Sequence, residues 1–195
     1  PNTVIGQRML RREDPALLTG EAKFTNDLNI PGALHLAVLR SPHAHARIKS
    51  IDTTAAKSAE GVIAVYTGKE LAALWAAPMP CAWPVTQDMK NPPHYPLAID
   101  KVCYVGDGVV AVLATSETAS RDALDLIDVT YEVLPAIVDP EQALKDSVVI
   151  HESLGTNKSY TWALKVEAHE GAVQKAFDDA AYTVSERYVQ QRLIP

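Results

Sequence analysis

The fold of this chain is decided by residues 101–135, KVCYVGDGVVAVLATSETASRDALDLIDVTYEVLP. The pattern predicts a strand, a glycine turn, a second strand, a helix that begins near Ser116, and a third strand at Val129–Val133. The predicted helix has an apolar stripe, because its apolar side chains recur at intervals of three to four residues. The stripe consists of Ala119, Ala123, Leu126 and Ile127.

The glycine turn Gly106-Asp107-Gly108 also fits the loose form of a dinucleotide-binding fingerprint. A pyrophosphate-binding glycine loop must open a helix, because the N–H groups at the helix N-terminus hold the phosphates. Here the β-branched run Val109–Leu113 follows the glycines, and such a run favours a strand. We therefore interpret the turn as a hairpin between two strands, and not as a nucleotide site.

Composition indicates an ordinary soluble globular protein of 195 residues, with 47% hydrophobic and 22% charged residues. The net charge of −6 and the lack of a large Lys/Arg cluster argue against nucleic-acid binding. No run of 18 apolar residues could cross a membrane, and the start lacks the pattern of a secretory signal. Cys81 and Cys103 form no disulfide framework and are expected to be small buried hydrophobes, so we expect a reduced, cytoplasmic protein.

Strands and short helices also alternate before and after this segment. The pattern predicts strands at Ala33–Arg40, which is apolar on both faces and suits a buried strand, at His45–Ile51 and at Val62–Tyr66. It predicts helices at Ala55–Ala59, at Lys69–Trp75 with a Thr67/Glu70 capping box, and at Glu141–Lys145. Towards the end it predicts an extended Tyr160–Val166, an apolar helical stripe of Val173, Ala176, Phe177 and Ala180, and a strand at Tyr182–Arg192. The irregular alternation favours the α+β class.

Residues 78–96 differ from the rest of the chain, because they hold six of its thirteen prolines together with Trp83 and Tyr95. Loops of this length are usually functional or disordered, and the aromatic residues argue against disorder. One interpretation is a packed Ω-loop that lies over its own domain. The other is a loop that docks on a partner subunit or walls a substrate funnel.

The segment His43-Ala-His45-Ala-Arg47 is the most metal-like feature, because residues i and i+2 of a strand share a face. Arg47 and Lys49 continue that face, and two cations oppose the binding of a divalent metal. The pattern is therefore more typical of a half-solvated strand, with Ala44, Ala46 and Ile48 on the apolar side. The other histidines, which are His35, His94, His151 and His169, are scattered and favour structural or solvated roles.

The residues alone show no combination of side chains that could catalyse a reaction. The chain has no Gly-x-Ser-x-Gly elbow, and Gly68-Lys69 is followed by Glu70 where a Walker loop needs Ser or Thr. Neither cysteine lies in a reactive-cysteine motif. The pair Asp178-Asp179 falls on a predicted helix surface and is expected to be solvated.

Several blocks in order resemble one family. Arg12-Glu-Asp-Pro15, Leu17-Leu-Thr-Gly20 and Phe24-Thr-Asn-Asp27 resemble the opening of molybdenum hydroxylase large subunits, the xanthine dehydrogenase and aldehyde oxidase superfamily. The strands of its N-terminal α/β-hammerhead domain are similar to further blocks, which are Leu39–Ile48, Gly61–Gly68, Val105–Ala111 and Tyr131–Pro135. The end, Val189–Pro195, resembles the entry to the molybdenum-cofactor domain. One departure is Gly108, where the family often has proline.

The resemblance implies an α/β-hammerhead with mixed sheet and hairpins over residues 15–140, followed at residues 155–195 by the truncated beginning of the molybdenum-cofactor-binding domain. It implies a molybdopterin-dependent oxidoreductase for aldehydes, N-heterocycles or similar small substrates, with iron–sulfur clusters and FAD in partner subunits. The family's pterin contacts and catalytic base lie beyond position 195, so no residue here is assigned to catalysis, cofactor binding or metal binding.

The role implied for this chain is structural, with the remainder of the large subunit and the iron–sulfur and flavin subunits as partners. The alternative is a freestanding binding or assembly module that keeps the hammerhead without the reaction. A third hypothesis, a small metalloenzyme built on His43 and His45, has the weakest support. The structural role predicts exposed apolar surface on residues 160–195, since their sheet partners would be missing.

Overall fold

A computed structural model describes residues 5–28, 30–81, 83–164 and 171–190 of the chain. The chain divides into two compact units. The first unit comprises Pro1–Met79 with Pro93–Val138, and the second comprises Pro80–Pro92 with Asp139–Pro195. None of the helices in the described ranges combines the length and apolar character that a membrane crossing requires.

The elements are short and alternate along the chain. The helices are α1 (Asp14–Thr19), α2 (Thr54–Lys57), α3 (Gly68–Leu71), α4 (Glu117–Asp122), α5 (Pro140–Ala143) and α6 (Ala172–Asp178). Three 3-10 helices lie at Thr25–Asp27, Ala123–Leu126 and Glu152–Leu154. The strands are β1 (His35–Arg40), β2 (Ala46–Asp52), β3 (Val62–Thr67), β4 (Lys101–Val102), β5 (Gly108–Ala114) and β6 (Asp128–Val133).

The six strands form two three-stranded sheets in the first unit, with the orders β1-β5-β3 and β4-β2-β6. All four described pairings are antiparallel, whereas the sequence suggested a mixed sheet. The class and the hammerhead expectation are confirmed, since helices and antiparallel sheets share one small domain. In the first sheet β5 lies at the centre, and it pairs Leu113 with Leu36 of β1 and with Ala64 of β3.

The core lies around β5, whose β-branched side chains suit a strand that is covered on both faces. Val109, Val110 and Val112 are fully buried. They cluster with buried residues from the neighbouring elements, which are Ala46, Ala56, Val65, Ala98, Val102 and Ala123. All of these residues belong to the first unit.

Gly68 and Gly108 have no side chain, so the backbone of Pro96–Ala98 can pack closely against both of them. A Cβ on Gly68 would lie 2.2 Å from the carbonyl oxygen of Ala98, and a Cβ on Gly108 would lie 2.9 Å from that of Pro96. The Ala98 N–H donates to the Gly108 carbonyl at 2.7 Å, which holds the segment against the start of β5. Only glycine permits so close an approach of two backbones.

The hairpin expected at Gly106-Asp107-Gly108 is wrong, because β4 and β5 belong to different sheets. The turn therefore carries the chain from one sheet to the other. The backbone of Gly106 and Asp107 bonds to Ser41 in the loop that joins β1 to β2, so the turn is held on that loop. A strand of two residues, as β4 is, offers too few bonds to extend a ladder along β5.

Helix α4 begins as expected at the cap Ser116, but its predicted apolar stripe is only partly correct. The α-helix gives way to a 3-10 helix at Ala123, so the side chains no longer follow one regular period. Ser120 and Ala123 are buried, whereas Leu126 is 47% exposed. Strand β1 also differs from expectation, because it is a sheet edge and Leu36 is exposed.

The second unit has no strand in its described part, so the strand predicted at Tyr182–Arg192 is wrong over residues 182–190. Residues 191–195 and the end of the predicted extended segment, residues 165–166, lie outside the described ranges. Helix α6 carries the predicted stripe, but Val173 and Phe177 are exposed. The exposed apolar surface expected for residues 160–195 is present in the described residues, which include Tyr160, Trp162, Leu164, Tyr182, Val184, Tyr188 and Val189. The assignment of residues 155–195 to a cofactor domain stays a prediction.

Candidate functional site

The loop that joins β1 to β2 and the turn that precedes β5 meet at one end of the first unit. The Ser41 N–H donates to the Asp107 carbonyl, and the Gly106 N–H donates to the Ser41 carbonyl, both at 2.8 Å. The Ser41 hydroxyl accepts from the His43 N–H and donates to the His43 carbonyl, both at 3.0 Å. Ser41 and Asp107 are both buried, so these two backbone hydrogen bonds form a buried bridge that holds the loop and the turn together.

Five side chains lie above this bridge, and we call them the cation–aromatic face: Arg40, His43, His94, Tyr104 and Tyr131. Arg40 Nη1 donates to the Gly106 carbonyl at 2.8 Å. The rings of His43 and Tyr131 meet edge to face with centroids 5.0 Å apart, and those of His94 and Tyr104 lie 6.3 Å apart. The face thus combines a guanidinium, two imidazoles and two phenols.

Buried Asp107 organises this face electrostatically. One Asp107 carboxylate oxygen accepts from the Cys103 N–H at 3.1 Å, and the Tyr104 phenol hydrogen-bonds to the same carboxylate. Burial, and then the charge of Asp107, raise the pKa of Tyr104 above its ordinary value. Burial also raises the pKa of Tyr131, which a hydrogen bond to Ser41 partly opposes. Both phenols are protonated at neutral pH, and their hydrogen bonds to Asp107 and Ser41 fix their positions.

The two histidines of the predicted metal-like segment do not act together. His43 lies in the loop, and His45 is 4% exposed, so the half-solvated position expected for His45 is wrong. His45 Nδ1–H donates to the Pro135 carbonyl at 2.6 Å, and the His45 carbonyl accepts from the Leu134 N–H at 2.9 Å. These bonds hold the end of β6 beside the start of β2, while His45 Nε2 is buried with no partner among the described residues.

No group of three or more His, Cys, Asp and Glu side chains that could hold a metal forms within the described ranges. The glycine turn leads into β5 and not into a helix, which confirms that it lacks the geometry of a pyrophosphate loop. The Walker-like Gly68-Lys69-Glu70 opens α3, where Glu70 completes the predicted capping box with Thr67. The Thr67 N–H donates to Glu70 at 2.8 Å and holds the pKa of that carboxyl below its usual range.

Other residues singled out by sequence are at the surface. Cys81 is exposed rather than buried, and its thiol donates to the Pro92 carbonyl at 3.7 Å. Asp178 and Asp179 are solvated as expected and bond within α6 to Gln174 and Lys175. His35 is exposed and His151 half-buried, whereas His169 lies outside the described residues.

The proline-rich segment is anchored at both ends. Met79 and His94 form an isolated antiparallel bridge in the first unit, where Trp75 also stacks on Tyr95 with ring centroids 5.2 Å apart. Residues 80–92 belong to the second unit, and Trp83 is 89% exposed. Whether this segment docks on a partner stays a prediction.

A groove of about 580 Å³ runs along the open edge of β1. Leu28, Ile30, Leu34 and Leu36 line it, and the Arg121–Glu117 ion pair of α4 stands at its rim with a closest N–O distance of 2.8 Å. Thr25, His35 and Ser120 also line the groove, so its wall is mixed in polarity, and its acid and base are already paired with each other.

The described residues do not form a site for molybdopterin. Such a site needs polar groups aimed into a cavity. Here the buried polar side chains of Ser41, Thr67, Asp107 and Ser120 bond within the fold, and the orphaned atoms of His45 and Thr86 line none of the described cavities.

Sequence reasoning missed Asp107 as an anchor, and it missed Tyr104 and Tyr131 altogether. The available signal was an acidic residue between two glycines, next to fully apolar strand residues. An acid in that setting is either exposed in a turn or buried with donors, and the sequence alone favours the first.

Residues 19–135 match the family described as "Aldehyde oxidase and xanthine dehydrogenase, a/b hammerhead domain". The chain is 38% identical over 190 residues to the 6-hydroxypseudooxynicotine dehydrogenase complex subunit gamma of Paenarthrobacter nicotinovorans, covering 96% of this chain and 23% of that protein. It is 31% identical over 180 residues to the xanthine dehydrogenase molybdenum-binding subunit of Escherichia coli O157:H7, covering 92% of this chain and 23% of the relative.

Among solved structures, the chain resembles quinoline 2-oxidoreductase from Pseudomonas putida 86 with a TM-score of 0.69 and 38% identity. The match covers 82% of this chain and 20% of that one. The chain thus spans about a quarter of the length of the curated relatives it matches.

Proposed function

Because the chain belongs to the aldehyde oxidase and xanthine dehydrogenase hammerhead family, we propose that it is the non-catalytic structural domain at the N-terminal end of a molybdopterin-dependent oxidoreductase large subunit. Aldehydes, N-heterocycles or similar small molecules are the proposed substrates of the whole enzyme. The main observation in support of the structural role is that buried polar groups bond to other parts of the fold. Ser41 and Asp107 form hydrogen bonds that hold loops of the fold together.

The cofactors are proposed for the whole enzyme and not for these residues. Relatives are molybdenum-binding subunits, which supports molybdopterin in the full-length protein. We expect iron–sulfur clusters and FAD in separate partner subunits. One relative is a subunit of a dehydrogenase complex, which supports a multi-subunit enzyme. A cytoplasmic location is part of the same proposal.

The second unit supports the proposal because its described residues form no buried core. None of its described residues is buried, although it carries Trp162, Tyr182 and Tyr188. A segment with so much exposed apolar surface is stabilised by further protein that covers it. In the proposed enzyme, the remainder of the large subunit supplies that cover.

The test has two arms. The 195-residue chain, purified from cells that make molybdopterin, is expected to bind neither molybdenum nor pterin in stoichiometric amounts, measured by metal analysis and pterin fluorescence. In the enzyme assembled from a large subunit that carries this sequence, Cys81→Ser and His35→Gln are expected to leave kcat within about twofold, since neither residue touches the reacting atoms. Bound pterin or turnover of an aldehyde or purine by the isolated chain, or a loss of kcat of about a hundredfold or more in either variant with the metal retained, would contradict the proposal.

A further inference from the structure

Strand β1 is an open edge of the first sheet, because it pairs with β5 on one side only. In an antiparallel ladder, alternate residues direct their N–H and C=O groups to one side of the strand, and the residues between them direct theirs to the other. Part of the backbone of His35–Leu39 therefore faces away from β5, and no backbone group in the described ranges bonds to that part. Free N–H and C=O groups along an edge are a template for a further strand.

Strand β1 also lacks the features that protect exposed edges in natural proteins. The usual protection is lysine, proline or a bulge that twists the edge. His35–Leu39 contains neither lysine nor proline, and its bulge comes only after Leu39, so five consecutive residues keep a regular register with β5. On β3, the opposite edge of this sheet, the bulge comes directly after Val62, and α2 and α3 pack against the strand. Of the two edges, β1 is thus the one that is suited to pairing.

The groove beside β1 suits an extended segment without charge. Leu34 and Leu36 line it and are 47% and 62% exposed. The charged residues among its described lining, Glu117 and Arg121, pair with each other, so this lining carries no net charge. When a strand is added to a sheet, backbone hydrogen bonds supply affinity and the adjoining surface selects alternate side chains. A neutral groove of mixed polarity is complementary to a strand of uncharged residues, over a length of about 20 Å for the six residues of β1.

The length of the relatives indicates where such a strand comes from. This chain corresponds to 23% of the length of the two curated relatives named above, so about three quarters of a protein of that length would be tethered to the first unit. A tethered segment reaches the edge at an effective concentration of the order of millimolar when the linker is short, which a separate subunit must match by affinity. A tethered strand also covers the edge during folding, before subunits meet, and so prevents edge-to-edge aggregation.

We propose that an extended segment of the same polypeptide, from outside these 195 residues, adds to the first sheet as a fourth strand along β1, with uncharged side chains in the groove. This inference rests on the proposed function, because it needs the full-length large subunit. It concerns the first unit, whereas the cover inferred above concerns the second.

The first test examines the backbone of β1 in the assembled enzyme, by hydrogen exchange resolved to single amides. A strand with two neighbours has all its N–H groups bonded, whereas alternate N–H groups of an edge strand are free. We expect every amide of residues 35–39 to exchange about a hundredfold or more slowly than a free amide, as in β5, which has a neighbour on each side. Alternating slow and fast exchange along β1, with uniform protection of β5, would overturn the proposal.

The second test identifies the added strand by photo-crosslinking in the assembled enzyme. Leu36→p-benzoylphenylalanine places the probe in the groove, and Ile63→p-benzoylphenylalanine on β3 is the control, because Ile63 is 58% exposed and lies on the opposite edge. We expect position 36 to crosslink to a peptide of the same polypeptide outside residues 1–195, and we expect position 63 not to reach that peptide. Enzyme assembled from a mixture of isotopically light and heavy large subunits separates a crosslink within one polypeptide from one between two copies.

A crosslink from position 36 only to a different subunit, to a second copy or to residues 1–195 would overturn the proposal, as would the absence of any crosslink. The two proposals fail separately. An active, molybdenum-loaded enzyme with alternating exchange along β1 defeats this inference alone, whereas a full-length enzyme that binds no molybdenum defeats the proposed function.

Discussion

Each of the two units of the chain is stabilised by different interactions within it. The first unit contains every described buried apolar side chain, centred on Val109, Val110 and Val112. The second contains none, and its order comes from hydrogen bonds of polar side chains. The difference indicates that the first unit has a core of its own, whereas the described part of the second unit lacks one.

Asn157 forms four of the hydrogen bonds described in the second unit. Its side-chain oxygen accepts from the Ile150 N–H at 3.0 Å, and its side-chain nitrogen donates to the carbonyls of Val148 and Ala143 at 2.7 and 3.1 Å. Its own N–H donates to Asp146 at 2.7 Å. A net contribution of about 1 kcal/mol for each such bond is modest compared with a buried apolar cluster.

A second polar contact joins the proline-rich segment to the rest of the second unit. The Lys90 N–H donates to the Ser159 carbonyl at 3.0 Å, and the Ser159 hydroxyl donates to the Lys90 carbonyl at 2.7 Å. The Lys90 ammonium also donates to the Leu154 carbonyl at 3.3 Å. Such bonds fix the path of a chain without supplying a core.

The largest expected effect comes from Gly68→Ala in the first unit. The new Cβ would meet the backbone of Ala98 at 2.2 Å, so α3 or the buried residues Leu97 and Ala98 must move. We expect a loss of about 3 kcal/mol or more in the free energy of unfolding, measured by urea denaturation. The matched change in the second unit is Gly155→Ala, where the Cβ meets open space but φ is +71°. It is expected to leave the unfolding of the first unit unchanged, and a similar loss in both variants would contradict the comparison.

Next in size is Val110→Ala, which removes two methyl groups from the centre of β5. The loss of buried area and the cavity left behind are expected to lower the free energy of unfolding by about 2 kcal/mol. Val173→Ala makes the same change on α6, where the side chain is 69% exposed, and is expected to alter stability by less than about 0.5 kcal/mol. Thermal denaturation of the two variants compares the units directly. Equal shifts would show that α6 contributes to the same core.

A smaller and local effect is expected from Asn157→Ala. The loop loses the three hydrogen bonds of the Asn157 side chain, and its local opening should become easier by about 2 kcal/mol. Hydrogen exchange of peptides from residues 143–159 would report this change. Exchange in β5 is expected to stay as in the native chain, and faster exchange there would show that the first unit depends on this loop.

The smallest effect is a dependence on pH in the same loop. The Asn157 N–H and then the Thr156 hydroxyl donate to Asp146 and hold its pKa below the ordinary value of 3.8. A lowered folded pKa contributes stability above the ordinary value, and this contribution is lost as the pH falls through the folded pKa. We therefore expect the loop to loosen below about pH 4, and we expect Asp146→Asn to lose that dependence. The measurement is the chemical shift of the Asn157 amide as a function of pH, which should titrate only in the native chain.

The local signals in the sequence were sufficient for most elements of the first unit. Thr67 with Glu70, and Ser116, each predicted the start of a helix, because a cap depends on residues three positions apart. The error at Gly106–Gly108 has a different origin. Neighbouring strands usually pair, and nothing local shows that Ser41 holds the turn and Ala98 holds the start of β5 instead.

The site was less predictable, because it depends on contacts between residues distant in the sequence. His45 was expected on a half-solvated strand, but it is buried, and its partner Pro135 lies 90 residues away. The segment Tyr182–Arg192 was expected to form a strand, yet a strand needs a neighbour, and none pairs with residues 182–190 among the described residues. Pattern alone shows what a segment can form, and not whether its partner is present.

Hydrogen exchange of the whole 195-residue chain tests the central claim most directly. The account predicts strong and cooperative protection of residues 108–114 and of the strands that pair with them. It predicts rapid exchange throughout residues 139–164 and 171–190, apart from the amides held by Asn157 and Asp146. Uniform protection of both units at the level of global unfolding would contradict the account, because it would mean that the second unit is stable without a covering partner.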